Sequence, residues 1–270
     1  MKAITLMILT LLTPFASAAD FKSGFAPVNG LQLYYEIHGA PHSGQPPLVL
    51  LHGGGDTIKT SFAKILPELA KHRQVVAFEQ QGYGRTADVE GRPFSFEQSA
   101  DDTAALLEHL HIAQADLFGF SNGGTIAVQV AIRHPNVVRR LVLASAPLQR
   151  SDMIDGFFDG MEHATLDNMP KELKDAYVAI APHPEQLQTM FEKSRDRMRF
   201  MKDIPDDLIR GIHAPALLIM GDSDVVKVER GAYIKRLLAH AQLAVLPATD
   251  HVTVTSRVDT LVPMIEKFLS

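Results

Sequence analysis

The chain contains no cysteine. Disulfides, thiolate nucleophiles and cysteine-ligated zinc are therefore excluded. It has no long run of basic residues and a formal net charge of −5, so nucleic acid is a poor partner. Its one leading apolar stretch, Ile4–Leu12, is too short to span a bilayer. No internal repeat and no low-complexity segment is present. No spacing of His, Asp and Glu matches a metal site, and Gly53–Gly55 lacks the lysine of a phosphate-binding loop, so no metal and no cofactor is expected.

What is present describes a globular enzyme-sized chain. Its 270 residues are 46% hydrophobic and 21% charged, enough for one large domain or a domain with an insertion. Met1–Ala18 has the form of a secretory signal: Lys2, an apolar core, then Ala16-Ser17-Ala18 as a small-residue cleavage pattern before Ala19. The expectation is an exported protein, periplasmic or secreted.

The body of the chain alternates strand and helix patterns. Phe25–Val28 and Leu31–Ile37 are β-like runs joined by Asn29-Gly30, a hairpin signal. Leu48–Leu51, Val75–Phe78, Leu117–Phe120, Leu141–Ala144 and Ala216–Met220 are short apolar runs of the kind buried on both faces; Leu243–Leu246 completes the series. Helical spacing marks Phe62–Leu69, Ser95–Leu110 (with Ser95 and Gln98 at capping-box spacing), Thr125–His134, Arg230–Leu238 and Leu261–Leu269. Such alternation predicts a mostly parallel sheet covered on both faces. From Leu148 to about Pro205 the rhythm is helical only. The predicted layout is a core over 19–147 and 206–270, with a helical cap over 148–205.

The stretch that organises the chain is Asp116–Gly124. Within it, Gly119-Phe120-Ser121-Asn122-Gly123 is a G-x-S-x-G match between a strand and a helix, the context of a nucleophile elbow. The turn is sharp enough to require small flanking residues, met by Gly119 and Gly123, and it exposes the Ser121 hydroxyl at a helix N-terminus.

Five features together resemble the α/β-hydrolase fold family over nearly the whole mature chain. They are the His52–Gly54 loop, Gly82-Tyr83-Gly84-Arg85, the Ser121 elbow, Gly221–Asp224 and His251. The chain order Ser, Asp, His is the order of that family. The resemblance implies an eight-stranded, mostly parallel sheet flanked by helices, with a small helical cap inserted after the sixth strand. It also implies a serine hydrolase acting on a small ester-like molecule.

Ser121 is then the expected nucleophile. His251, following the last predicted strand, is its expected base. The third member is a carboxylate that fixes the histidine tautomer. Asp222 and Asp224 both follow Ala216–Met220, and position alone does not separate them; the family pattern Gly-x-x-Asp points to Asp224. One oxyanion donor is expected from the N–H of Asn122. The other comes from the loop after Leu48–Leu51, where the resemblance favours Gly54 over Gly55. An acidic residue precedes the serine in hormone-sensitive-lipase-like esterases; Phe120 stands there instead, so that subfamily is not assigned.

The remaining polar residues carry lesser expectations. His52 is expected to brace its loop, Glu79 to organise one, and Tyr83 and Arg85 to be loop residues. The 148–205 segment holds Met153, Met161, Met169, Met190, Met198 and Met201 with Phe157, Phe158, Phe191 and Phe200, either a Met-lined lid or plain packing. Lys193, Arg195, Arg197, Arg199 and Lys202, interleaved with acids, read as a solvated helix face. Carbon–carbon or lactone hydrolysis with the same triad is the alternative, and a small-molecule receptor on this fold is a further one.

Overall fold

The computed structural model describes residues 21–270; the expected signal segment, 1–18, lies outside the described residues. Strands β1 (Lys22–Val28) and β2 (Leu31–His38) form the hairpin predicted from Asn29-Gly30. Asn29 and Gly30 both have positive φ, 48° and 81°, as a two-residue turn matched to strand twist requires.

β3 (Leu48–Leu51) follows, fully buried and with the predicted bounds. The helix expected over Phe62–Leu69 is instead two short ones, α1 (Ile58–Phe62) and α2 (Leu66–Leu69). Thr57 caps α1, and Pro67 lies in the first turn of α2, where its missing N–H costs nothing. A single helix through this point would place the proline ring inside it. β4 (Val75–Phe78) again matches its prediction.

Helix α3 (Phe96–His109) begins at the Ser95 cap, whose side chain accepts from Gln98 N–H. Gln98 turns its own amide to Asp102 instead of back to Ser95, so half of the capping box forms. Then come β5 (Ala115–Phe120), α4 (Asn122–Arg133) and β6 (Val138–Ala144). The segment up to β7 holds α5 (Phe157–His163), α6 (Lys171–Ile180), α7 (Leu187–Arg199) and α8 (Asp206–Arg210). No strand interrupts it; one isolated bridge, Met153 to Val226, ties it to the core. The chain closes with β7 (Ala216–Ser223), α9 (Val228–Leu237), β8 (Ala241–Asp250) and α10 (Val258–Leu269).

The eight strands form one sheet in the order β1-β2-β4-β3-β5-β6-β7-β8. β1 and β2 are antiparallel; every pairing from β4 to β8 is parallel. Alternate residues feed two cores. Val49, Leu51, Leu117 and Leu141 pack with α3, α4 and α9 on one face. Leu48, Leu50, Phe118 and Val142 pack with α1, α2 and α10 on the other. Coverage of both faces explains why these strands read as continuous apolar runs. Chain order reverses across β3, which lies between β4 and β5, so the loops after β3 and β5 open on either side of a crevice.

The opposite end of the sheet is pinned by charge. Asp116, fully buried at the start of β5, accepts from Arg139 Nε and Nη2 (2.7 and 2.6 Å) and from Arg73 Nη1 (3.3 Å). Arg73 also pairs with Glu266 of α10, and Arg139 donates to the Leu269 carbonyl. Burial pushes the Asp116 carboxyl up, opposed by the three arginines around it, Arg139, Arg73 and Arg140.

Candidate active site

Ser121 sits between β5 and α4 with φ 52° and ψ −122°, a conformation that a non-glycine residue enters only under strain. The turn is held by Ser121 N–H to Ala144 O (2.8 Å) and Gly124 N–H to Ser121 O (2.8 Å). The flanking glycines are required by space. A Cβ on Gly119 would overlap the Gly123 carbonyl, and one on Gly123 would overlap the Leu51 carbonyl.

Three expected residues meet in series. His251 Nε2 is 3.0 Å from Ser121 Oγ, and His251 Nδ1 is 2.7 Å from Asp224 Oδ1. An ionised carboxylate only accepts, so Nδ1 carries the ring hydrogen and Nε2 offers its lone pair to the Ser121 hydroxyl. The Asp224 side chain is fully buried. Burial alone would raise its pKa; hydrogen bonds from His251 and Ser145, the His251 charge and the Val226 N–H hold it below the ordinary value. Phe120 covers the imidazole, ring centroids 5.1 Å apart.

Asp222 does something else. Its carboxylate accepts from Ala248 N–H (2.9 Å) and Thr249 N–H (3.1 Å), and those bonds hold its pKa low. It thereby fixes the backbone two residues before His251. Asp250 ends β8 opposite Ser223, which leaves His251 as the first residue past the strand.

The expected oxyanion residues lie together. Asn122 opens α4, so its N–H has no partner within the helix, and among the described residues neither it nor the Gly54 N–H has an acceptor. Gly54 packs against the Asn122 side chain so closely that a Cβ would overlap Nδ2. Gly55, with φ 77°, faces Met169 and Leu173 instead.

His52 braces its loop as expected. It is fully buried; its Nδ1–H donates to Gly53 O (2.8 Å), and its Nε2 accepts Gln80 N–H (3.0 Å). Burial, aided by the Arg197 charge, lowers its pKa to about 4, so it is neutral. Glu79 is likewise a loop organiser. It accepts from Arg85 N–H (2.6 Å) and Nη1 (3.2 Å), with Gly84 at φ 53° making room for the carboxylate. Asp56, beside Gly53, is pushed up to about 6 by burial, against hydrogen bonds from Thr60 and Ser61.

A cavity of about 330 Å³ opens onto Ser121, Asn122, Gly54 and His251. Its roof comes from the helical segment between β6 and β7. Met153, Met161, Met169, Met190 and Met198 line it, with Phe157 and Phe191. Met201 and Phe200 border a separate groove. Among the described residues the one Lys or Arg in the lining is Arg195, which is turned onto Asp196 (2.9 Å) and the Ala164 carbonyl (3.4 Å). Among the described residues no group of three or more His, Asp or Glu is placed to hold a metal ion.

Two contributors were not expected. Ser145, buried at the end of β6 with φ 51°, donates its hydroxyl to Asp224 Oδ2. Arg197 is not on a solvated face: it is 5% exposed and bonds Gln80 and Tyr83. Lys193 is also drawn inward, onto Asp88 and the Arg92 carbonyl. Nothing marks Ser145 in the sequence beyond its place at a strand end.

An eight-stranded, mostly parallel sheet with a strained serine after its fifth strand defines an α/β hydrolase. The family model for the alpha/beta hydrolase fold matches residues 46–195, and the chain belongs to that family. It is 30% identical over 227 residues to 2-hydroxy-6-oxo-2,4-heptadienoate hydrolase of Pseudomonas putida, covering 76% of this chain and 82% of that one. It is 26% identical over 243 residues to a pimeloyl-[acyl-carrier protein] methyl ester esterase of Neisseria meningitidis, covering 82% and 91%. Among solved structures, the enol-lactonase of Burkholderia xenovorans superposes with a TM-score of 0.72 at 23% identity, covering 91% of this chain and 99% of that one. These relatives are hydrolases, and a hydrolase with a serine nucleophile is the class they support here.

Proposed function

We propose that the protein hydrolyses a carboxylic ester of modest size with an apolar acyl group, through an acyl-enzyme. The observation that carries this reading is the Ser121–His251–Asp224 series opening into a Met-lined cavity. Ser121 Oγ attacks the carbonyl carbon while His251 Nε2 takes the hydroxyl proton. Asp224 holds the ring in the required tautomer and stabilises the imidazolium. Asn122 and Gly54 N–H donate to the oxyanion. His251 then passes the proton to the departing alkoxide, the alcohol leaves, and water activated by the same imidazole releases the acid. The segment over 148–205 acts as a cap whose methionines adapt to the acyl chain.

Ser121→Ala tests the assignment. It is expected to abolish turnover of p-nitrophenyl esters while leaving the unfolding midpoint nearly unchanged. It is also expected to abolish labelling by a fluorophosphonate probe, which should modify the wild-type enzyme at Ser121. Wild-type turnover by the variant would refute the role of Ser121. An unlabelled wild-type protein that still binds ligand would identify a receptor.

The named relatives favour one second reading, carbon–carbon or lactone hydrolysis by the same triad. An ester panel of graded acyl length, run beside a vinylogous 2-hydroxy-6-oxo-dienoate and an enol-lactone, separates the two. Turnover confined to the dienoate or the lactone would overturn the ester assignment.

A further inference from the structure

Arg197 is costly where it stands. It projects from α7 into the core, 5% exposed, its guanidinium 5.3 to 5.7 Å from the rings of Phe96, Tyr83 and Phe94. Its Nε is buried without an acceptor among the described residues. Among the described residues no carboxylate pairs with it, although Glu192, Asp196 and Asp203 are near in sequence. A methionine of similar length would fill that space without a charge to desolvate. Packing alone is therefore a poor account of it.

Its hydrogen bonds lead to the oxyanion loop. Nη1 donates to Gln80 Oε1 at 3.1 Å, and Nη2 to the Tyr83 hydroxyl at 2.9 Å. Gln80 passes the contact on twice: its side-chain Nε2 donates to His52 O (2.9 Å) and its backbone N–H to His52 Nε2 (3.0 Å). His52 Nδ1–H in turn holds Gly53 O (2.8 Å), and Gly53 precedes Gly54. The path thus runs from a helix over the cavity to a proposed oxyanion donor, through groups that are buried throughout.

Resting on the reading of the site given above, we propose that Arg197 is a positioning residue. It couples the seating of α7 over the cavity to the alignment of the Gly54 N–H, through Gln80 and His52. The oxyanion hole is set when the cap is docked and loosened when Arg197 withdraws. Tyr83 belongs to a different part of the same contact. Its hydroxyl meets Arg197 and Ser194 (2.7 Å), both on α7, and so ties the helix down without acting on Gln80.

Three variants of the full chain separate coupling from anchoring, with p-nitrophenyl butyrate as probe. Gln80→Glu keeps an acceptor for Arg197 but removes the donor to His52 O. Arg197→Met removes the first step. Tyr83→Phe removes only the hydroxyl tie. Coupling predicts that Gln80→Glu and Arg197→Met each lower kcat about tenfold or more with KM little changed, a fraction of the loss on deleting an oxyanion donor. The double variant should fall no further than the worse single one, because both break one path. Arg197→Lys should recover part of kcat, and Tyr83→Phe, which loosens the tie to α7 but leaves the Arg197–Gln80 bond, should lower kcat less than Gln80→Glu does. A wild-type kcat in Gln80→Glu, or a rise confined to KM in Arg197→Met, would overturn the coupling. Should Arg197→Met not fold, Gln80→Glu decides alone. An active Ser121→Ala would instead sink the reading of the site; an inactive one beside a normal Gln80→Glu sinks the coupling only.

Discussion

Acid should loosen this protein through His52. The imidazole is fully buried and held neutral, with its pKa lowered from 6.5 to about 4 by burial and the nearby Arg197 charge. In the unfolded chain it titrates at its ordinary value. Between pH 6.5 and 4 the unfolded state therefore carries a proton that the folded state refuses, and each unit of acidification favours unfolding. The stability is fully present above pH 6.5 and is lost as pH falls toward 4. Between pH 7 and 4.5 the loss from this one group is about 2–3 kcal/mol. That corresponds to a urea midpoint shift of about 1 M for a chain of this size. Asp56 acts with the opposite sign. Its pKa is raised to about 6, so the folded state gains a proton that the unfolded state lacks, and stability rises as pH falls from 6 toward 3.8. The wild-type profile alone would blur the two. Urea unfolding of wild type and His52→Asn at pH 7 and pH 4.5 isolates the term: the stability gap between them should shrink, or reverse, by that amount. A gap independent of pH would show that His52 is not held neutral.

Other perturbations have equally definite outcomes. Asp224→Asn should leave the fold intact and lower kcat by about 10³–10⁴, because the amide favours the wrong tautomer of His251. Asp222→Asn keeps only one of the two acceptor oxygens of the Ala248–Thr249 turn and should lower the melting temperature, with a loss of kcat far smaller than that of Asp224→Asn. Asp116→Ala strips Arg139 of its carboxylate and Arg73 of one of two, and should cost about 3–5 kcal/mol in denaturant unfolding with the ester specificity unchanged.

What could be read from the sequence divides by range. Leu48–Leu51 and Val75–Phe78 were legible to the residue because both faces of each are covered, which erases alternation. Ser121, Asp224 and His251 were legible because each follows a strand in a family-wide order, and the sheet gathers those strand ends. Phe62–Leu69 misled because apolar spacing says nothing about where Pro67 allows a helix to begin. Arg197 misled because alternating charges imitate a wet face. A signal was available: Met190, Ser194 and Arg197 fall at i, i+4 and i+7, one stripe of α7, with Met198 beside it. Reading the methionines first would have placed the arginine with them. Ser145 and Gln80 had no comparable mark, since their partners lie 79 and 28 residues away.

The two aspartates at the end of β7, Asp222 on it and Asp224 just past it, show how one short segment serves the chemistry twice. The pairing of β7 with β8 shifts register between Gly221 and Ser223, and there the two side chains diverge. Asp222 stays exposed and grips the Ala248–Thr249 backbone, where Ala248 adopts φ 48°. Asp224 turns into the core, where Ser145, Gly221 N–H and Val226 N–H fix it before it meets His251. The imidazole is thus located from both ends, its backbone by one carboxylate and its ring by the other. A hydrogen bond of 3.0 Å to a strained serine is useful only if the ring cannot drift. Placing both restraints at the end of one strand makes the position of His251 depend on the β7–β8 pairing, the same parallel pairing that closes the sheet at that edge.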